Sequence, residues 1–287
     1  MSVKRYRVDP KKFRLEKAAA RYAGGKLKES GSAELLAQKI KRMAALQERL
    51  FAENRRSVLL TLQARNGAGK DSLIKHVFSG MNSAWCHVVS YKAPSSRELD
   101  YGYLWRHFRD IPARGQIVIF NRSYYEEVST TRVHTKWLGA QPLPSNKIDK
   151  KFWKKRFDQI NAFEKYLVQN GSSVVKIFLN VSKKEQKARF LNRIYNPKKQ
   201  WKFAPEDLEE RRKWDEYTPV FQEMLTKTSK KYAPWYAVPG DQKWYARLAA
   251  ADILIHALKK IDPQFPKMNV EKMKQLEKAK AELESEK

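Results

Sequence analysis

The stretch that decides the fold is "SVLLTLQARNGAGKDSLIKHVFSG", residues 57–80. An apolar, β-branched run (57–62) is followed by a glycine-bearing turn and then by apolar residues at helical spacing, so it reads as strand, loop and helix. The loop approaches the phosphate-binding form G-x-x-x-x-G-K-[ST]. Gly69 and Lys70 are in place, Ala64 stands where the first glycine would be, and Asp71 replaces Ser or Thr. Backbone N–H groups of residues 66–71, Gly67 and Gly69 among them, would face an anion together with the helix dipole, and Lys70 adds a point charge. The helix is expected to close at Gly80.

Working outward, strand and helix signals alternate along the chain. Further strands are expected at 87–91, 116–121, 174–180 and 235–239. Helices are expected from Ser32 as N-cap, over Ser95 to Arg109, along the row Phe152, Phe157, Ile160, Phe163 and Leu167, over "KKEQKARFLNRI", from Pro205 to Thr228, and over "DQKWYARLAAADILIHAL". Five short strands separated by helices indicate an α/β fold: a parallel five-stranded sheet with helices on both faces. The division is a basic N-terminal arm (1–31), a main α/β domain (32–265) and a C-terminal helical tail (266–287).

The chain has 287 residues, 42% of them hydrophobic, which is enough for a sizeable core despite a mean hydropathy of −0.72. Apolar runs are strand-sized, so no membrane span is expected, and the N-terminus has no secretory apolar region. A cytoplasmic location is the default. The single cysteine, Cys86, cannot form an internal disulfide and is expected to be a buried small hydrophobe. The five histidines show no metal-ligand spacing and read as structural. Charge is the strongest compositional signal: Lys and Arg number 59 against 31 acids, a net +28. A polyanion partner follows from that excess. No DNA- or RNA-binding motif accompanies it, so no specific nucleic acid is expected.

Three longer motifs follow the loop in order: "SYKAPSSRELDYGYLWR" (90–106), "PARGQIVIFNRSYYEEV" (112–128) and "PKKQWKFAPEDLEERRKWDEY" (197–217). With them the chain resembles the second family of polyphosphate kinases, in the subgroup carrying "FNRS" after the third strand. The resemblance runs from "YRVDPKKFRL" to "FPKMNV" and so spans nearly the whole chain. It implies a P-loop kinase that moves phosphoryl groups between inorganic polyphosphate and ADP or AMP with Mg2+. Adenine nucleotides are the expected acceptors, with guanine as the alternative, and the assembly a homo-oligomer, dimer or tetramer.

The resemblance also organises the candidate residues. Lys70 and Arg122 are expected to bind the phosphoryl group in flight, and Lys92 reaches the same sheet edge. Asn66, Asn121 and Glu126 are the expected metal ligands, with Asp71 beside them in the catalytic set. Residues 183–202 carry eight basic residues against one acid, Glu185. In the family this region, here about 183–217, is a basic helical lid. Arg189, Arg193, Lys199 and Arg211 are expected to contact phosphate from it. Tyr124, Tyr125, Trp201, Trp214, Trp235 and Trp244 read mostly as core or lid packing.

Two positions depart from the family's loop, which usually reads "RDAAGKDG". Asn66 stands for an Asp, and Ser72 for a Gly. An amide oxygen can coordinate a cation but brings no charge, so weaker magnesium binding, altered acceptor preference or reduced turnover is expected. The rival readings are a non-catalytic polyphosphate-binding protein, an ATP-dependent nucleotide kinase and a nucleic-acid binder.

Overall fold

A computed structural model describes residues 2–25, 27–145 and 147–286. After a long helix α1 (Ser32–Glu53) come β1 (Ser57–Ala64), α2 (Lys70–Val77) and β2 (Cys86–Ser90). Two short helices, α3 (Ser96–Leu99) and α4 (Trp105–Arg109), lead to β3 (Ile117–Asn121). The short α5 (Thr130–Val133) and α6 (Thr135–Gly139) precede the long α7 (Lys150–Gln169) and β4 (Ser172–Asn180). The stretch expected to form a lid holds α8 (Lys183–Tyr195) and α9 (Glu206–Arg212), and α10 (Trp214–Thr228) leads to β5 (Trp235–Pro239). The chain closes with α11 (Lys243–Ile261) and α12 (Val270–Ser285).

The five strands pair in parallel in the order β2-β3-β1-β4-β5. Every residue of β1 is buried, as a central strand covered on both faces requires. One face packs Met43 and Leu50 of α1, Leu73 and Val77 of α2 and the Ala/Leu-rich α11. The other packs Phe157 and Ile160 of α7 and Phe221 and Met224 of α10. Because β1 lies between β3 and β4, the strand succession reverses beside it, and ligands bind such sheets at the carboxyl ends of the strands at that point. Leu62 pairs with Asn121 and Ala64 with Leu179, so the loop after β1 emerges level with the ends of its neighbours.

Several expected boundaries move. Gly31, with φ +83°, caps α1, and Ser32 is the first helical residue. The helix expected over 95–109 is two short pieces with Gly102 between them, and Ser95 caps the first through a reciprocal bond with Glu98. The helix expected over 205–228 breaks at Lys213 into α9 and α10. Helix α2 stops at Val77, and Gly80 serves a different end: a Cβ there would come within 2.3 Å of Ile40, so its absence lets α1 approach. Cys86 is only partly buried, because β2 is an edge strand; burial still pushes its thiol up to about 12.

The N-terminal arm is more than a surface strap. Val3, Tyr6, Val8 and Leu15 are buried in the two core clusters, and Arg7 bridges Tyr236 of β5. By contrast α12 buries no residue.

Candidate active site

Gly67 and Gly69 both take positive φ, +74° and +92°, which turns the chain sharply from β1 into α2. A Cβ on Gly67 would lie 2.6 Å from the ring of Phe190, so α8 of the lid region packs directly on the loop. Gln186 of the same helix donates to the Asn66 carbonyl at 2.7 Å. Ser72 accepts from Arg247 of α11 at 3.3 Å.

Lys70 opens α2 and is only 9% exposed. Its ammonium makes one long bond, 3.5 Å to the Ala64 carbonyl, and among the described residues it has no ion-pair partner. Burial, reinforced by the nearby Arg122 cation, draws it down to about 8, while Glu126, Asp71 and Asp207 act weakly in the other direction. A buried cation left this way has unsatisfied demand for an anion.

Arg122 follows β3 directly and sits at φ +65°, an uncommon conformation for a side-chain-bearing residue. Its N–H is fixed to the Leu62 carbonyl at 3.2 Å, and its guanidinium reaches Asn66 Oδ1 at 3.4 Å. Below it, Tyr124 and Tyr125 are wholly buried and both donate to Glu164, at 2.9 and 2.6 Å, which holds the turn after β3 in place. That turn carries Glu126, whose carboxylate accepts from Thr130 at 2.5 Å.

The expected metal ligands converge in part. Asn121 donates to Asp71 Oδ1 at 2.8 Å and to Ser90 at 3.2 Å, while its side-chain Oδ1 is buried without a partner. Asn66, Asp71, Asn121 and Glu126 are all oxygen donors, the kind a hard cation takes. Among the described residues no three His, Cys, Asp or Glu side chains cluster as a metal cage. Donors of this kind, without a closed cage, suit a hard cation that keeps part of its water shell.

The lid cations are held inward. Arg189 pairs with Glu185 at 2.9 Å and donates to the carbonyls of Ala68, Gly240 and Asp241 at 2.5, 2.6 and 3.1 Å. Arg193 pairs with Asp207 at 2.5 Å, Arg211 donates to Lys183 O and Gln186 at 2.8 Å, and Lys199 donates to Asn192 at 2.6 Å. Lys92 is exposed at the end of β2, and its carbonyl accepts from Arg106 at 3.0 Å.

Between the loop, the turn after β3 and the lid helices lies a cavity of about 550 Å³. Arg65, Arg122 and Asp207 line it together with the aromatic groups Tyr91, Trp137 and Tyr217. That size and mixed lining suit a nucleoside-sized ligand. Sequence reasoning missed several of its parts. Arg65 lies 3.9 Å over the Trp214 ring and donates to Thr218 at 2.7 Å, tying the loop to α10. His134 contacts Glu210 of α9 at 2.5 Å, and Tyr217 donates to the same carboxylate at 2.5 Å. Arg65–Thr218 and His134–Glu210 join residues far apart in sequence and leave no local pattern. The aromatic expectation fares better: Tyr124, Tyr125 and Trp235 are core, Trp214 packs in the lid, and only Trp201 is largely exposed.

A parallel sheet with a lysine-bearing loop after its central strand and a helical cover over that loop defines a P-loop kinase. The model of the family described as polyphosphate kinase 2 matches residues 26–266, and the chain belongs to that family. It is 45% identical to an ADP-polyphosphate phosphotransferase of Rhodopseudomonas palustris over 85% of this chain and 84% of that one. It is 38% identical to an AMP/ADP-polyphosphate phosphotransferase of Meiothermus ruber over 92% and 96%. The crystal structure of polyphosphate kinase 2 from Arthrobacter aurescens superposes with a TM-score of 0.86 at 35% identity, over 94% of each chain.

Proposed function

We propose that the protein is a polyphosphate:nucleotide phosphotransferase that transfers the terminal phosphoryl group of inorganic polyphosphate to ADP or AMP. A terminal phosphate oxygen of the nucleotide bonds to the end phosphorus of the chain. The P–O–P bridge behind that phosphorus breaks, and the polyphosphate leaves one unit shorter. The observation that carries this reading is Lys70: a buried ammonium with no carboxylate partner among the described residues, at the mouth of a phosphate-type loop. Phosphoryl transfer requires chiefly positioning and charge neutralisation, and the residues present are suited to both.

Lys70 and the loop backbone hold the phosphate that moves. Arg122, on its fixed turn, takes charge developing on the equatorial oxygens. Asn66, Asn121, Asp71 and Glu126 are the residues that would hold magnesium, which neutralises phosphate charge when bound. The cavity beneath the lid takes the nucleoside, and the helices over it keep water from the reacting phosphorus. In this reading Arg189, Arg193, Lys199 and Arg211 exchange present partners for phosphate when the lid engages the chain. The reading also takes the enzyme to be a cytoplasmic homo-oligomer; among the described residues no helix is long and apolar enough to cross a membrane.

The test is ATP formation from long-chain polyphosphate and ADP, and ADP formation from AMP, with magnesium and a Lys70→Ala control. Product that depends on Lys70 supports the reading. Tight polyphosphate binding without product would instead make this a binding protein on a kinase frame.

A further inference from the structure

A second groove, about 560 Å³, lies against the outer edge of the sheet between the N-terminal arm and the end of β5. Arg5, Arg7, Lys12, Arg14, Lys17 and Arg21 line it, and no acidic residue does. All six are exposed, and among the described residues none forms an ion pair. Converging six like charges on one concavity raises the energy of the protein unless an anion fills it.

The arm is built to hold them there. Val8 N–H donates to Trp235 O at 2.9 Å and Leu15 N–H to Gln222 at 2.6 Å, while Gln222 donates back to Phe13 O at 2.9 Å. Buried Val3, Tyr6, Val8 and Leu15 fix the apolar side of the arm and leave its cations outward. The groove is also joined to the catalytic loop. Asp241 N–H donates to Ala20 O at 2.9 Å and Asn180 to Ala18 O at 2.9 Å, and Arg189 spans from Gly240 and Asp241 to Ala68.

We propose that this groove is an accessory site for the distal part of a long polyphosphate chain whose end is seated at the catalytic loop. The inference rests on the proposal that the enzyme uses polyphosphate. A chain of phosphates, all backbone and no bases, matches a site that offers charge but no free stacking face. The aromatic rings of the groove are already engaged: Tyr22 stacks on Tyr245 at 4.1 Å, Tyr6 bonds Tyr245 at 2.6 Å, and Phe13 packs against the core. Nucleic acid would find phosphate contacts there and nothing for its bases.

The experiment combines Arg7→Gln, Lys12→Gln, Lys17→Gln and Arg21→Gln and compares long-chain polyphosphate with tripolyphosphate, whose three phosphates leave no distal chain to occupy a second site. The expected result is a KM for the long chain raised at least fivefold relative to that for tripolyphosphate. The slope of log Kd against log salt for the long chain should become shallower by about 3, in line with four lost phosphate contacts. An unchanged KM ratio and slope would overturn the proposal. So would a single-stranded oligonucleotide that loses as much affinity as polyphosphate, since the groove would then be a nucleic-acid surface. A second measurement needs no variant: long-chain polyphosphate should protect Lys12 and Lys17 of the native protein from acetylation, and tripolyphosphate should not. Equal labelling with and without the long chain overturns the site. Failure of the catalytic reading looks different, because wild type would then turn over neither chain length.

Discussion

Lys70, at the head of α2, and Lys176, in the middle of β4, are both buried lysines that burial draws down to about 8. Their surroundings are opposite. Lys176 donates to Glu164 at 2.6 Å, to the Thr228 carbonyl at 2.7 Å and to Tyr125 at 2.9 Å, so its three protons are placed. Lys70 has one 3.5 Å contact. The same residue type, buried in both places, is a structural rivet in one and an open anion receptor in the other. What separates them is the carboxylate that α7 supplies to Lys176 and that, among the described residues, nothing supplies to Lys70.

The largest effect should come from removing the receptor. Lys70→Ala is expected to lower turnover about 10³-fold, the scale of a lost transition-state charge contact, while the melting temperature stays level or rises. A fall in both would make Lys70 a second rivet. Removing the rivet should do the reverse: Lys176→Met leaves Glu164 buried and uncompensated and should cost about 3–5 kcal/mol in denaturant unfolding. The double variant Lys176→Met with Glu164→Gln should recover much of that loss, because both charges then leave together.

Titration sharpens the contrast further. Lys70 is drawn below its ordinary value of 10.5, so its charged form is disfavoured in the folded protein. Below pH 8 that penalty is fully present, and it is relieved as pH rises from about 8 toward 10.5. A bound phosphate restores the proton. Affinity for tripolyphosphate should therefore drop about fivefold between pH 8 and 9, by calorimetric titration in buffers of different ionisation heat. A flat profile over that range would show that Lys70 keeps its proton without ligand. The smallest effect belongs to Asn66→Asp, which returns a carboxylate to the loop beside Arg122. It should lower the magnesium concentration for half-maximal rate about threefold. Superimposable magnesium titrations would show that the amide already serves as well.

The sequence announces what is local. Each strand is a run of β-branched and aromatic residues, and the loop with its helix is read from adjacent positions, so the sheet and the places of Lys70 and Arg122 could be foreseen. The contact of Asn121 with Asp71 follows from where α2 starts beside the end of β3, and the pairs Arg193–Asp207 and His134–Glu210 follow from how α8 and α9 fold back. Those depend on contacts across long separations, which no spacing rule encodes. The helix break at Lys213 and the groove beside β5 escape notice for the same reason: both are set by what the chain packs against rather than by what it contains.

Arg189 carries one more implication. Its guanidinium clasps carbonyls of the catalytic loop and of the segment after β5, and a cation clasping carbonyls keeps its charge while giving its hydrogen bonds away. Paired also with Glu185 at 2.9 Å, it adds only part of the field of the eight basic residues in 183–202, and that field draws a polyanion in before those bonds are exchanged for phosphate. Ionic strength should then govern how fast substrate arrives, raising KM as salt increases, and leave the chemistry of the seated complex nearly untouched.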